Sequence, residues 1–155
     1  MSHEKFMRAA LAEAKEAALA GDIPVGAVAV WRGEIIGRGR NRKEAMRDPT
    51  AHAEVLALRE AARSRGGWRL PGVTLYSTLE PCPMCAGALV QARISLLVYA
   101  VADPRTGAAG SVYDLLCSPL LNHRVEVRGG GLADEVEALM ERFFREMREA
   151  KGSPL

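Results

Sequence analysis

"GVTLYSTLEPCPMCAGALVQARISLLVYAVAD", residues 72–103, holds a strand, a helix and a second strand in succession. "GVTLYSTLE" is a β-rich run, Pro83 suits a first helical position, and the helix is expected over 83–93. "SLLVYAVAD" then reads as an apolar strand, and such a crossover favours parallel pairing of the two strands.

Working outward, "DPTAHAEVLALREAARSRGG" (48–67) predicts a helix, capped by Asp48 or Thr50 and closed at Gly66-Gly67. "PVGAVAVWRGEIIGRGRN" (24–41) predicts two strands joined at Arg32-Gly33, an antiparallel hairpin. Residues 3–20 form an amphipathic helix ended by Gly21, with Phe6, Ala10, Ala14 and Ala17 near helical spacing. Downstream come a Gly-rich loop, a short segment near 111–117 and a strand in "HRVEVRG" (123–129). The last helix, about 132–150, carries Leu132, Val136, Leu139, Met140, Phe143 and Phe144 on one face. Strands alternating with helices predict an α/β protein, a three-layer α/β/α sandwich around a mixed sheet. One domain over residues 1–150 and a flexible tail over 151–155 complete the expectation, because no repeat or linker interrupts the chain.

Composition excludes several classes. The 155 residues are 48% hydrophobic and 26% charged, with no apolar run long enough to span a bilayer. The N-terminal stretch is Ala-rich but broken by Glu4, Lys5, Glu13, Lys15 and Glu16, unlike a signal or transit peptide, so a cytoplasmic location is expected. Three cysteines, Cys82, Cys85 and Cys117, then predict reduced thiols. The net charge of +2 is compatible with nucleic acid without indicating it.

The chemistry concentrates at two expected helix starts. Cys82 and Cys85, spaced i and i+3, put two sulfurs on one side of a helical turn, where both reach a single ion. The positive end of a helix favours thiolate. His52 is the third candidate ligand for Zn²⁺. Two thiolates and one imidazole leave a tetrahedral position open, the mark of a catalytic site; a structural site needs a fourth ligand, for which Cys117, His3 and His123 remain candidates by element type. Glu54, two residues after His52, is placed to take a proton from a zinc-activated water and return it to a substrate. Its plain alternative is a first-turn glutamate complementing the helix dipole.

"HAE" (52–54) followed by "PCPMC" (81–85) resembles the zinc-dependent nucleoside and nucleobase deaminases. "PVGAV", "GRGRNR", "DPTAHAE", "TLEPCPMCAGAL", "RTGAAGS", "NHRVEV" and "FFREMR" follow one another as in the bacterial tRNA adenosine deaminase family. The resemblance implies a central five-stranded sheet of the cytidine-deaminase type and conversion of adenosine to inosine at the wobble position of a tRNA anticodon. It implies one Zn²⁺ per subunit held by His52, Cys82 and Cys85, with Glu54 as proton shuttle. Asn41 and the backbone near Ala53 are implied to contact the base, and Asp103 to lie near the flipped-out nucleotide. Locally, Asn41 reads equally as a turn residue, and Asp103 as an Asx-turn acid before Pro104.

For RNA phosphates the candidates are Arg42, beside Arg38 and Arg40, and Arg142, Arg145 and Arg148 on the last helix. The family resemblance also implies a homodimer and a tRNA anticodon stem-loop as partner, while the composition predicts no membrane association. "NRKEAMRDP" (41–49) lacks the apolar-rich loop of some relatives, which bears on anticodon fit. Two alternatives remain: a free-base or nucleotide deaminase with the same zinc site, and a non-catalytic zinc-stabilised RNA-binding module with no need of Glu54.

Overall fold

Alternation along three strands builds the core from both faces of one sheet. In β1 (Gly26–Trp31), Ala27 and Ala29 point to one side, Val28 and Val30 to the other. β3 (Thr74–Leu79) and β4 (Leu96–Val101) continue the pattern: Leu75 and Leu97 join the alanines, Tyr76 and Val98 the valines. Register makes these sets coplanar, since Val28 pairs with Tyr76 and Tyr76 with Val98. Both faces must therefore be covered, and helices cover them.

In this computed structural model, which describes residues 3–151, β2 (Glu34–Arg40) and β5 (Glu126–Gly129) complete a sheet of order β2-β1-β3-β4-β5. β1 runs antiparallel to both β2 and β3, and β4 runs parallel to both β3 and β5. The expected mixed five-stranded sheet is present. On one face α1 (His3–Leu19) packs Phe6, Met7 and Ala10 on Val28, Tyr76 and Val98. α5 (Ala133–Ala150) joins that layer through Val136 and Leu139 against Leu11 and Ala14.

The opposite face carries α3 (Ala53–Arg65) and α4 (Pro83–Ala92). Leu75, Leu89 and Leu97 are fully buried there, and each contributes about 1.5–3 kcal/mol of burial energy. Two β2 glycines set how closely α3 lies. A Cβ on Gly39 would overlap the Ala53 carbonyl, and one on Gly37 the Ala57 carbonyl. The β1–β2 hairpin turns at Arg32 (φ 50°) and Gly33 (φ 78°), the two positive values that match a tight turn to strand twist.

Boundaries shift by a few residues. The second expected helix starts at Ala53, because Asp48 caps a local turn through the Thr50 N–H (2.8 Å) and hydroxyl (2.7 Å). A short helix α2 (Lys43–Met46), unforeseen, is held by Asp22, whose carboxylate accepts from the Glu44 and Ala45 N–H groups. Of the tail expected over 151–155, residues 152–155 lie outside the described residues. Among the described residues no helix is long and apolar enough to cross a membrane.

Candidate active site

Two helix starts meet at the same end of the sheet. His52 is the N-cap of α3 and Cys82 the N-cap of α4, both with extended backbone (φ −80°, ψ 151° and φ −73°, ψ 173°). Neither side chain caps its helix, so the imidazole and the thiol point elsewhere. They point at each other and at Cys85, in the first turn of α4. His52 Nδ1 lies 3.7 Å from Cys82 Sγ and 3.4 Å from Cys85 Sγ, and the three ligand atoms fall within 4.8 Å of one another.

These distances test a metal directly. A tetrahedral Zn²⁺ with Zn–S near 2.3 Å and Zn–N near 2.0–2.1 Å sets N···S at about 3.6 Å. The two observed values bracket it. Nitrogen with two sulfurs is also a donor set that zinc favours over magnesium or calcium. The arrangement can hold a metal ion with one position free. The other candidate ligands are engaged elsewhere: His3 with the Tyr76 hydroxyl (2.6 Å), His123 with the Ile94 carbonyl (2.8 Å), and Cys117 with the Val125 carbonyl (3.6 Å).

The three groups also perturb one another's protonation. The hydrogen bond from Cys85, seconded by His52, brings the Cys82 thiol down to about 4. The same bond, with burial, raises the Cys85 thiol. His52 is raised, chiefly by its bond to Cys82. Glu54, in the first turn of α3, is 4% exposed, and burial pushes its carboxyl up to about 7.

His52, Glu54 and Cys82 open into a pocket of about 320 Å³ that Asn41, Ala53 and Asp103 also line. That is the small end of ligand-pocket sizes, suited to one ring system. Buried Asn41 is fixed by its amide, which donates to the Ile23 carbonyl and accepts from the Lys43 N–H, both at 3.2 Å. One donor and one acceptor site remain on that amide for a ligand. Asp103 does form the Asx turn: its carboxylate accepts from the Arg105 N–H (2.9 Å), the Thr106 N–H (3.3 Å) and the Thr106 hydroxyl (3.1 Å).

The arginines scatter. Arg148 lines a trough of about 950 Å³ that shares Ile23, Asn41, Lys43 and Arg105 with the pocket, alongside Phe144 and Met147. Arg142 borders a separate hollow with Lys15, and Arg145 is exposed. Residues six apart on a helix lie about 120° apart in azimuth, so Arg142 and Arg148 present different faces. Arg42 joins Arg38, Arg40, Arg59 and Arg63 around another basic hollow of about 450 Å³.

Lys43, Glu80, Arg105 and Thr106 line the pocket but were absent from the sequence-based set. Glu80 carried a signal: an acid between an apolar strand and Pro81-Cys82. Burial alone would raise its carboxyl; hydrogen bonds from Ser111, Asp103 and Ala109 outweigh that and hold it below the ordinary carboxylate value.

The sequence profile of the MafB19-like deaminases matches residues 1–148. The tRNA-specific adenosine deaminase of Bacillus subtilis (strain 168) is 46% identical over 148 residues, 96% of this chain and 92% of that protein. A solved tRNA:A34 deaminase, from work on A-to-I editing at the wobble position of transfer RNA, superposes with a TM-score of 0.85. It is 41% identical, over 88% of this chain and 99% of that one. The guanine deaminase of Bacillus subtilis superposes less closely, with a TM-score of 0.64 at 34% identity, over 96% of this chain and 95% of that one. With a His/Cys/Cys triangle beside a buried glutamate and near-full-length likeness to these proteins, the chain belongs to the deaminases, in the branch of the tRNA-specific adenosine deaminases.

Proposed function

We propose that the protein is a zinc-dependent hydrolase converting adenosine to inosine at the wobble position of a tRNA anticodon, with release of ammonia. The observation that carries the reading is the His52–Cys82–Cys85 triangle, with its zinc-compatible distances, opening beside buried Glu54 into a base-sized pocket. His52, Cys82 and Cys85 would hold one Zn²⁺ per subunit. Bound there, zinc supplies Lewis acidity that makes water a competent nucleophile near neutral pH.

The chain's own groups supply the remainder. Water adds at C6 of adenine. Glu54 takes one proton from that water and places it on N1, then takes the second from the new C6 hydroxyl and delivers it to the amine, which leaves as ammonia when the C6–N bond breaks. Burial suits it to the task, since a carboxyl with a value near 7 exchanges protons in both directions at neutral pH. Asn41 offers its free donor and acceptor to the base edge, and the first-turn N–H groups of α3 near Ala53, which have no partner within the helix, favour developing negative charge. Asp103 orders the pocket mouth through its turn.

An anticodon stem-loop fits because its loop nucleotides are splayed and single-stranded. Arg148 is the α5 arginine with access to the trough leading from the pocket; Arg42, Arg142 and Arg145, on other surfaces, contribute longer-range attraction. A homodimer is implied by the family resemblance, and an apolar strip formed by Val55 and Leu58 of α3, Ala88 of α4 and exposed Trp68 in the loop after α3 supports it. Residues 1–150 act as one deaminase domain in the cytoplasm.

The test is inosine and ammonia formation by zinc-loaded protein on an anticodon stem-loop with adenosine at the wobble position. Free adenosine, guanine and cytidine run in parallel, with Glu54→Ala as control. Inosine in the stem-loop alone, lost in the variant, supports the reading. Turnover of guanine alone replaces the substrate and keeps the chemistry; no turnover at all favours the non-catalytic RNA-binding module.

A further inference from the structure

We propose that Glu80 is a positioning residue, fixing the 103–111 loop as the outer wall of the reaction pocket and thereby setting how tightly the substrate nucleotide is held. The inference rests on the deaminase reading above. Glu80 follows the last residue of β3 and precedes Cys82 by two positions, so it is anchored where the metal ligands are anchored. Its side chain is 1% exposed. A carboxylate is rarely that buried unless its oxygens are satisfied.

All of its partners come from one loop. One oxygen accepts from the Asp103 N–H (3.0 Å) and the Ser111 hydroxyl; the other accepts from the Ala109 N–H (2.9 Å) and the Ser111 N–H (3.1 Å). Four donors fill the roughly four acceptor sites of a carboxylate. No site is left for a substrate proton, which makes Glu80 a fastener and not a second acid or base.

The fastened loop is the wall. Asp103, Arg105 and Thr106 line the pocket, and they lie between the two anchor points at 103 and 109. Besides Glu80, the segment is tied back to the fold where the Ala108 N–H donates to the Pro81 carbonyl (2.8 Å); its other bonds, among them the Asp103 turn and the isolated bridge between Ala109 and Asp114, run within the loop and do not reach β3. Gly107 shows how closely the two parts fit. A Cβ there would overlap both the Glu80 carboxyl carbon and the Asp103 carbonyl. Gly107→Ala therefore loosens the same contact without altering any charge.

The experiment compares zinc-loaded full-length wild type, Glu80→Gln and Gly107→Ala. It measures amide hydrogen exchange at Asp103, Ala109 and Ser111, zinc content, and steady-state kinetics on the stem-loop. The Gln amide would turn an N–H donor toward N–H donors, so those three amides should exchange about tenfold faster or more. Stem-loop KM should rise about tenfold or more while kcat stays within about threefold, the pattern of lost binding shared by ground and transition states. Zinc should remain at one per chain, and Gly107→Ala should reproduce the KM effect.

Unchanged exchange, a fall in kcat at constant KM, or loss of zinc would each overturn the proposal. Should Glu80→Gln fail to fold, Gly107→Ala and wild-type protection at the three amides decide it; rapid wild-type exchange there refutes it. Absence of wild-type turnover on the stem-loop overturns the substrate reading alone, because the exchange arm needs no substrate.

Discussion

His52 and Cys82 occupy N-cap positions where Ser, Thr, Asp or Asn would satisfy an orphan backbone N–H, a contribution of about 0.5–2 kcal/mol per helix. The chain forgoes both caps and places a candidate metal ligand at each. His52→Ser should therefore stabilise the chelator-treated protein by about 0.5–2 kcal/mol in urea unfolding while abolishing zinc retention. Glu54 is separable from metal binding. Glu54→Gln should lower turnover by about 10²–10⁴-fold, the usual share of general acid–base catalysis, with zinc content unchanged by metal analysis. That His52, Cys82 and Cys85 could meet, with Glu54 close by, was legible in the sequence because the spacings within each motif are local: two residues for His52 and Glu54, three for Cys82 and Cys85. Glu80 was not, since its partners lie 23 to 31 residues later in a segment without periodicity.

Helices and strands were read well wherever a side-chain period existed, and poorly where a cap or turn decided the boundary. Asp48 looks like a helix cap and instead closes a turn with Thr50; nothing local distinguishes the two uses of an aspartate. α2 was missed because its tie, the Asp22 carboxylate, is 22 residues upstream. The same level holds a sharp requirement. Gly39 lets α3 settle onto β2 at the helix end that carries the site. Gly39→Ala should cost about 1–3 kcal/mol in unfolding free energy by overpacking, and displacement of the α3 start should lower activity as well. A substitution at exposed Gly67, where a Cβ meets nothing within 4 Å, is the control.

For the whole molecule, the antiparallel hairpin and the parallel crossover were both legible, but not that β3 would dock beside β1 and leave β2 at the edge. That choice depends on which faces are apolar in three dimensions. Electrostatics at this scale predicts that stem-loop affinity falls steeply with salt, with a slope near −0.7 per phosphate neutralised on a single strand. Arg148→Ala should reduce the magnitude of that slope by about 0.7. Arg145→Ala, outside the trough, should change it less; filter binding across a salt series distinguishes them.

The pairing of β3 between β1 and β4 has a temporal consequence. His52 precedes Cys82 by 30 residues in the chain, and the pairing of β3 with β1 is what brings the two helix starts together. A nascent chain lacking that strand has a histidine and no pair for it; one with the strand unpaired has two thiols and no imidazole. On the zinc site proposed above, metal capture follows closure of the sheet, so zinc uptake in a refolding mixture should lag the recovery of β-structure.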